Sequence, residues 1–311
     1  MKIELDVHTH TIASGHAYST LQEMVKAASE KGLKLLGITE HTSGIPGTCD
    51  PIYFRNLHVV PRRMYGVDLL LGAEINILDS TGQIDADEDL MKRLDLRIAG
   101  IHLLCYQHGT VEENTQGMIK VISNPSIQII SHPGDGTATL NFEPIVLAAK
   151  EHRTLLEINN SSLKPTRNKV DARDNNREIL RLCKHYEVPV ILGSDAHISF
   201  DIANYEYLYP LLQETTEQLR YRCSPADRQI RQINYAVALR QIGDYAQAEM
   251  VLRSINIDKY VASTIFNAPS LLISKYVYNS LSLEGLLQIC SCKYVKSALS
   301  VFPSQFKSVD E

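Results

Sequence analysis

Two spacings stand out in this chain of 311 residues: His8-Thr-His10 near its start and Asp195-Ala-His197 far along it. In an extended segment residues i and i+2 share a side, so each pair presents two donors in one direction, a common way of holding a metal ion. Glu74 closes the apolar run LLLGA, where a buried carboxylate is costly unless it is paired, and a cation would remove that cost. His41, His102 and His132 follow three further apolar runs, and His16 lies in the loop after the first pair. Taken singly, each ring reads equally well as a core histidine satisfied by a backbone carbonyl. Taken together they do not, because all eleven histidines fall between His8 and His197 and seven of them cluster at the ends of apolar runs or just beyond. Seven imidazoles and two carboxylates exceed the three or four protein ligands of a catalytic zinc, so the set implies two or three divalent ions with Glu74 or Asp195 bridging. A nitrogen-rich donor set favours Zn, with Mn or Fe as alternatives, over Mg or Ca. Closely spaced ions suit displacement at phosphorus by a metal-bound hydroxide, with no side chain identified as general acid.

The elements that must position these residues are seven apolar runs: Ile3–Val7, Leu35–Thr39, Asp68–Ala73, Leu96–Ile101, Ile127–Ser131, Leu155–Ile158 and Val188–Gly193. Helical periodicity fills most of the gaps, over Ser19–Lys31, Glu112–Ile122, Glu143–His152 and Asp174–Tyr186. The first of these predicted helices has Ser19 as its cap and Gly32 as its stop. Strands alternating with helices predict an α/β fold with a parallel sheet, either an incomplete barrel or a doubly wound sheet. In both, sites form where loops leave the C-terminal ends of strands. There the sequence places His8 and His10, Glu40–His41, Glu74, His102, His132, Glu157–Asn159 and Asp195–His197. His152 and His185 instead close predicted helices, where a cationic ring suits the dipole.

Charge and composition exclude several partners. The net charge is −5, and 44% of residues are hydrophobic, enough for a sizeable core. A mild acidic excess leaves no electrostatic footprint for duplex nucleic acid or an anionic membrane. The longest apolar stretch, Leu271 to Ile289, is interrupted by Lys275 and Glu284, so no membrane span is expected. The start, MKIELDVHTH, has no apolar signal core, and six scattered cysteines read as reduced thiols, so a cytoplasmic location is expected.

At its chemistry-bearing residues the chain resembles the PHP family of polymerases and histidinol phosphatases. The matching motifs are DVHTH (Asp6–His10), ITEHT (Ile38–Thr42), GAE (Gly72–Glu74), GIH (Gly100–His102), SHPGD (Ser131–Asp135), EINNSS (Glu157–Ser162) and GSDAH (Gly193–His197), in order over about the first 213 residues. LEINNSS and the early His16 point to the stand-alone bacterial branch with a trinuclear site. The resemblance implies a distorted seven-stranded (β/α)7 barrel and three ion positions. One is held by His8, His10, Glu74 and Asp195. A second is held by the bridging Glu74 with His102 and His132, and a third by His16, His41 and His197. Glu40, where the family often has Asp, is assigned no metal role. The family's DIG stretch reads DIAN here (Asp201–Asn204), which replaces a glycine without touching a ligand. The implied activity is phosphatase hydrolysis of a small phosphorylated substrate. Asn159 and Ser161 either orient ligands or substrate or cap their loop. Arg167, with Lys164 and Lys169, either contacts substrate phosphate or forms a solvated basic loop.

Polar residues gather between Pro210 and Pro225 (QETTEQ), which sets an expected boundary between a metal-dependent domain, 1–214, and a C-terminal α-helical extension, 215–311. Within the extension Gln229–Ser254 is weakly tetratricopeptide-like, Pro269–Ile289 adds helix, and Cys290-Ser-Cys292 lacks the partners of a structural zinc site. One helical hairpin cannot bury its own face, so it packs on the barrel, on a second copy or on a partner. Alternative activities are a histidinol-phosphate phosphatase or a nuclease, the latter opposed by the acidic first part. A scaffold acting through the tail would be expected to have lost ligands.

Overall fold

The structure, a computed structural model, describes residues 4–167 and 171–221. Its sheet has eight strands: β1 (Leu5–Asp6), β2 (Leu35–His41), β3 (Arg63–Met64), β4 (Val67–Ile77), β5 (Leu96–Ile101), β6 (Ile129–Ile130), β7 (Leu155–Asn159) and β8 (Val190–Gly193). β3 is a short antiparallel lead-in to β4. The other seven correspond to the seven apolar runs and pair in parallel in chain order. The last then meets the first. Thr9 and Ala196 form a parallel bridge, the Asp195 N–H donates to the His8 carbonyl (3.0 Å), and the His10 N–H donates to the Ala196 carbonyl (2.8 Å). Sequential order with first and last strands in contact is a nearly closed (β/α)7 barrel, and it rules out the doubly wound sheet.

The crossovers carry α1 (Leu21–Glu30), α2 (Pro51–Arg55), α3 (Glu88–Arg93), α4 (Val111–Ile122), α5 (Phe142–His152) and α6 (Ala172–Tyr186). Capping chemistry fixes their starts. Thr20 with Glu23 and Thr110 with Glu113 form reciprocal capping boxes on α1 and α4. The expected cap of α1 is thereby corrected: Thr20 fills that role, while the Ser19 hydroxyl accepts the Ser199 N–H at 3.0 Å.

A core cluster of Leu5, Val7, Leu35, Leu70, Leu96, Ile98, Ile129, Leu155 and Ile191 draws on all seven parallel strands and fills the barrel. Alternate residues on a strand share a face. Continuing from core residues in steps of two one reaches Glu74 (after Leu70 and Gly72), His102 (after Ile98 and Gly100), His41 (after Leu35, Gly37 and Thr39) and Glu157 (after Leu155). The interior face that buries leucine at one end presents donors at the other. Two glycines leave room for them. A Cβ on Gly193 would stand 1.6 Å from Glu157 Oε1, and one on Gly100 would stand 2.2 Å from Ser131 Oγ and 3.0 Å from the His132 ring.

Residues up to Leu211 belong to one compact unit, and Leu212 begins a second, of which residues 212–221 are described. The QETTEQ stretch lies within the helix α7 (Leu208–Tyr221), with Pro210 in its first turn, where a missing N–H costs nothing. The tetratricopeptide-like segment 229–254, the helix over Pro269–Ile289, Cys290-Ser-Cys292 and Lys169 lie outside the described residues, as does the side chain of Arg167. Among the described residues no helix is long and apolar enough to cross a membrane.

Candidate metal centre

At the C-terminal mouth of the barrel one buried carboxylate faces five imidazoles. Glu74 Oε2 lies 3.2 Å from His8 Nε2, 3.4 Å from His10 Nε2 and 3.1 Å from His41 Nδ1. Its other oxygen, Oε1, lies 2.8 Å from His132 Nε2 and 3.3 Å from His102 Nε2. Asp195 Oδ1 stands 3.4 Å from His10 Nε2, 3.7 Å from His8 Nε2 and 3.3 Å from His197 Nδ1. His16 joins through its Nε2, 3.1 Å from that of His197. All nine residues expected as ligands therefore meet in one cluster, most buried among strands and His16 nearest to solvent.

The spacings suit cations. Two nitrogens each about 2.0–2.1 Å from a tetrahedral zinc lie about 3.3 Å apart. His8 Nε2 and His10 Nε2 are 3.1 Å apart, and with Glu74 Oε2 and Asp195 Oδ1 they outline a four-donor group. Lone pairs at such distances repel unless a proton or cation lies between them. His41 Nδ1 and both nitrogens of His102 are buried without a hydrogen bond, although Glu74 is close to both rings. His41 Nδ1 and His102 Nε2 are near enough to the carboxylate but wrongly angled for hydrogen bonding, as expected of donors aimed at a shared point. Three sets have ligand atoms within 4.8 Å of one another: His8, His10 and Glu74; His41, Glu74 and His102; and His10, His41 and His197. The second and third differ from the grouping implied by resemblance, which takes His132 in place of His41 and His16 in place of His10. His41 lies between the two positions, its ring centroid 5.1 Å from that of His102 and 5.0 Å from that of His16.

In four rings, His8, His10, His16 and His197, Nδ1 meets an oxygen, which sets the tautomer and leaves Nε2 for the cluster. His8 Nδ1 bonds Glu157 Oε1 at 2.8 Å. His16 Nδ1 bonds the Ser14 carbonyl at 2.9 Å, and His197 Nδ1 bonds the Asp195 carbonyl at 3.0 Å. His10 Nδ1 meets Ser14 Oγ at 3.1 Å. That hydroxyl donates to Glu40 Oε2 at 2.5 Å, so it accepts from His10, and it also accepts the His41 N–H at 3.1 Å. Glu40 thus orients His10 through Ser14. Ser14 is the orienting residue that sequence reading misses, while Glu157 is counted among the donors at strand ends but given no role. Glu157 carried a legible signal, a carboxylate two residues beyond an interior leucine. Ser14, in an irregular loop, carried none.

Backbone strain coincides with the cluster. His132 (φ 32°) and Asp195 (φ 52°) both adopt left-handed backbone, a conformation uncommon for residues other than glycine and concentrated at functional sites. Electrostatics divide the rings into two groups. Burial opposes the charged form of His8, but Glu157, Glu74 and Asp195 outweigh it and hold its pKa well above the ordinary histidine value. His132 is likewise lifted, against burial, to about 9 by Glu74, with Asp135 and Glu157 assisting. Burial and the neighbouring His10 push His41 well down and His197 to about 4. Despite burial, Glu74 and Asp195 are held well below the usual carboxylate range, chiefly by His8. Carboxylates and the raised imidazoles thus hold one another in their charged forms.

The cluster floors a cavity of about 200 Å³ also lined by Ser161, Ser162, Asp135, Thr137, Ile45, Leu103 and Leu104. Ser161 presents a buried hydroxyl without a hydrogen-bond partner. Asn159 does not present its amide in this way: it donates to Glu157 Oε2 at 3.1 Å and accepts from the N–H and hydroxyl of Ser162 at 2.8 and 3.0 Å. Lys164 pairs with Asp201 at 2.6 Å.

A parallel barrel with this order of strands and a histidine-rich mouth defines a metal-binding (β/α)7 protein. The chain belongs to the PHP domain family, which matches residues 6–223. It is 48% identical over 212 residues to a probable phosphatase of Clostridium novyi (strain NT), an alignment spanning 68% of this chain and 86% of the relative. Identity to a probable phosphatase of Caldicellulosiruptor bescii is 47% over 214 residues, spanning 69% and 88%. A solved structure of histidinol phosphate phosphatase from Lactococcus lactis, complexed with Zn, L-histidinol and phosphate, aligns with a TM-score of 0.45 at 18% identity, covering 68% of this chain and 93% of that one.

Proposed function

We propose that this chain is a metal-dependent phosphatase that releases phosphate from small monoesters, using two or three divalent ions held by His8, His10, His16, His41, Glu74, His102, His132, Asp195 and His197. One observation carries the reading: the two oxygens of Glu74 divide between ring nitrogens, Oε2 toward His8, His10 and His41 and Oε1 toward His102 and His132, at 2.8–3.4 Å. A carboxylate so placed would bridge two cations. Bound there, Zn, or Mn or Fe, would neutralise phosphate oxygens and acidify water for attack on phosphorus. The chain's own residues supply the rest. Glu157 and the Glu40–Ser14 pair hold His8 and His10 in register, and the Ser161 hydroxyl faces the cavity as a donor for a phosphate oxygen. The probable phosphatases to which the chain is 47–48% identical support this reaction class. The complete donor set opposes a scaffold role. We place the catalytic part in residues 1–214, and a cytoplasmic location suits its free thiols Cys49, Cys105 and Cys183.

Metal analysis of the full-length protein, coupled to phosphate release from a panel of esters with and without chelator, tests this. Two or three ions per chain and chelator-sensitive release are expected, and His132→Ala should lower turnover by at least about 100-fold while the barrel still folds. A metal-free chain that hydrolyses nothing would overturn the reading.

A further inference from the structure

The lining of the cavity is chemically uneven. Beyond the ligand cluster it offers Ser161, Ser162, Thr137 and Asp135 as polar contacts, and Ile45, Ile101, Leu103 and Leu104 as apolar ones. Ile45 and Ile101 are buried, but Leu103 and Leu104 are 72% and 71% exposed. They follow His102 directly, in a turn closed by the N–H groups of Cys105 and Tyr106, which donate to the His102 carbonyl at 3.1 and 3.0 Å. The turn that places a ligand ring in the cluster thereby holds two adjacent leucines out at the cavity mouth. Isolated exposed leucines are ordinary, whereas a pair contiguous with a polar site marks a contact surface. The cavity, about 200 Å³, is smaller than the roughly 300–1,000 Å³ of pockets that enclose a whole ligand. A phosphate seated on the cluster would take up part of it, leaving too little room to enclose a larger leaving group, which would extend against the rim. Among the described lining residues there is no Lys or Arg to pair with a second phosphate or a carboxylate there.

We infer that Leu103 and Leu104 are specificity-determining residues that select phosphate monoesters with an apolar alkyl or aryl leaving group over polyhydroxylated or polyanionic esters. The inference rests on the phosphatase reading and names its substrate class. The chemistry is plain hydrolysis: water attacks phosphorus, the P–O bond to the leaving group breaks, and inorganic phosphate and an alcohol result.

The test uses the full-length protein isolated with its metals. Hexyl phosphate and glycerol 3-phosphate both release a primary alcohol, so they differ mainly in what meets the rim, and kcat/KM should favour the hexyl ester by about tenfold or more. Calorimetry should likewise show hexylphosphonate, which cannot be hydrolysed, binding about tenfold tighter than methylphosphonate. Replacing both leucines, Leu103→Ser with Leu104→Ser, should bring both ratios below about twofold, and an unaltered melting temperature would show that the barrel is intact. Turnover of both esters without preference, or a preference that survives the double substitution, overturns this inference alone. Absence of turnover together with absence of phosphonate binding overturns the phosphatase reading and this inference with it.

Discussion

Ser14 shows how much of a cluster of donors is set by a side chain outside it. Its hydroxyl donates to Glu40, accepts from His10 Nδ1 and accepts the His41 N–H, so one oxygen orients residues from two strand ends. Removing it leaves His10 without its tautomer-setting partner and Glu40 short of a donor, while the ring itself stays in place. Ser14→Ala is therefore expected to weaken metal binding by about 10–100-fold, measured by competition with a chromogenic chelator, and Ser14→Thr should recover part of the loss. An alanine variant with wild-type metal affinity would show that packing alone orients His10. The spacing of His8 and His10, and of Asp195 and His197, is visible in one line of sequence because the members of each pair are neighbours. Ser14 and Glu40 are 26 residues apart and acquire a shared role only when β2 is laid beside the first loop.

Strand ends decide whether the donors converge, and two backbone positions control this. Gly193, the last residue of β8, faces Glu157 on β7 so closely that a methyl group would stand 1.6 Å from Oε1. Gly193→Ala must displace Glu157, which holds both His8 Nδ1 and the His132 N–H. A loss of about 1–3 kcal/mol of stability together with reduced metal stoichiometry is expected, read by chemical unfolding and metal analysis. Full metal content at unchanged stability would contradict the packing argument. Ala203 gives the opposite case. It sits in left-handed backbone (φ 49°), at the position where the DIG stretch implied by the resemblance would place glycine, and its N–H donates to Asp6 Oδ2 at 2.8 Å. Asp6, on β1, also accepts from Ser194 just after β8, so this brace ties the first strand to the last. Ala203→Gly relieves the Cβ clash while keeping the bond and should stabilise the protein by about 0.5–1 kcal/mol in urea titration. The replaced glycine was legible in the sequence. The positive φ that gives it a cost was not.

For the molecule as a whole, charge balance in the barrel mouth couples metal, protons and stability. A histidine whose folded pKa is raised contributes stability fully present below its unfolded value, about 6.5, and lost as pH rises through the folded value. With His8 raised and His132 at about 9, chelated protein should lose melting temperature as pH rises from about 6.5 to 9. His197, lowered to about 4, works in the other direction, because its stabilising neutrality is lost to the unfolded chain as pH falls below about 6.5. Cations would take the place of these protons, so the metal-loaded protein should show no alkaline loss and loading should release protons to the buffer. Calorimetric scans across pH, with and without chelator, measure both. Identical alkaline limbs in the two forms would contradict the coupling.

The sequence by itself determined the seven strands, their parallel alternation with helices and eight of the nine residues that meet at the mouth, His16 in its loop being placed by the family resemblance. Each of these is a local property: an apolar run of strand length, a helical period, or a donor one step past the end of a run. Tertiary structure alone decided that the sheet closes on itself, because closure rests on Thr9 meeting Ala196 across nearly the whole domain, a pairing that no local pattern encodes. It alone decided how the donors are shared, since Glu74 faces both groups of rings only after β2, β4 and β5 are in register. It also gave the Asn159 amide its partners, Glu157 and Ser162. The physical reason is the same each time: side-chain type and spacing follow the chain, whereas distances of 3 Å between residues far apart in sequence are set by packing.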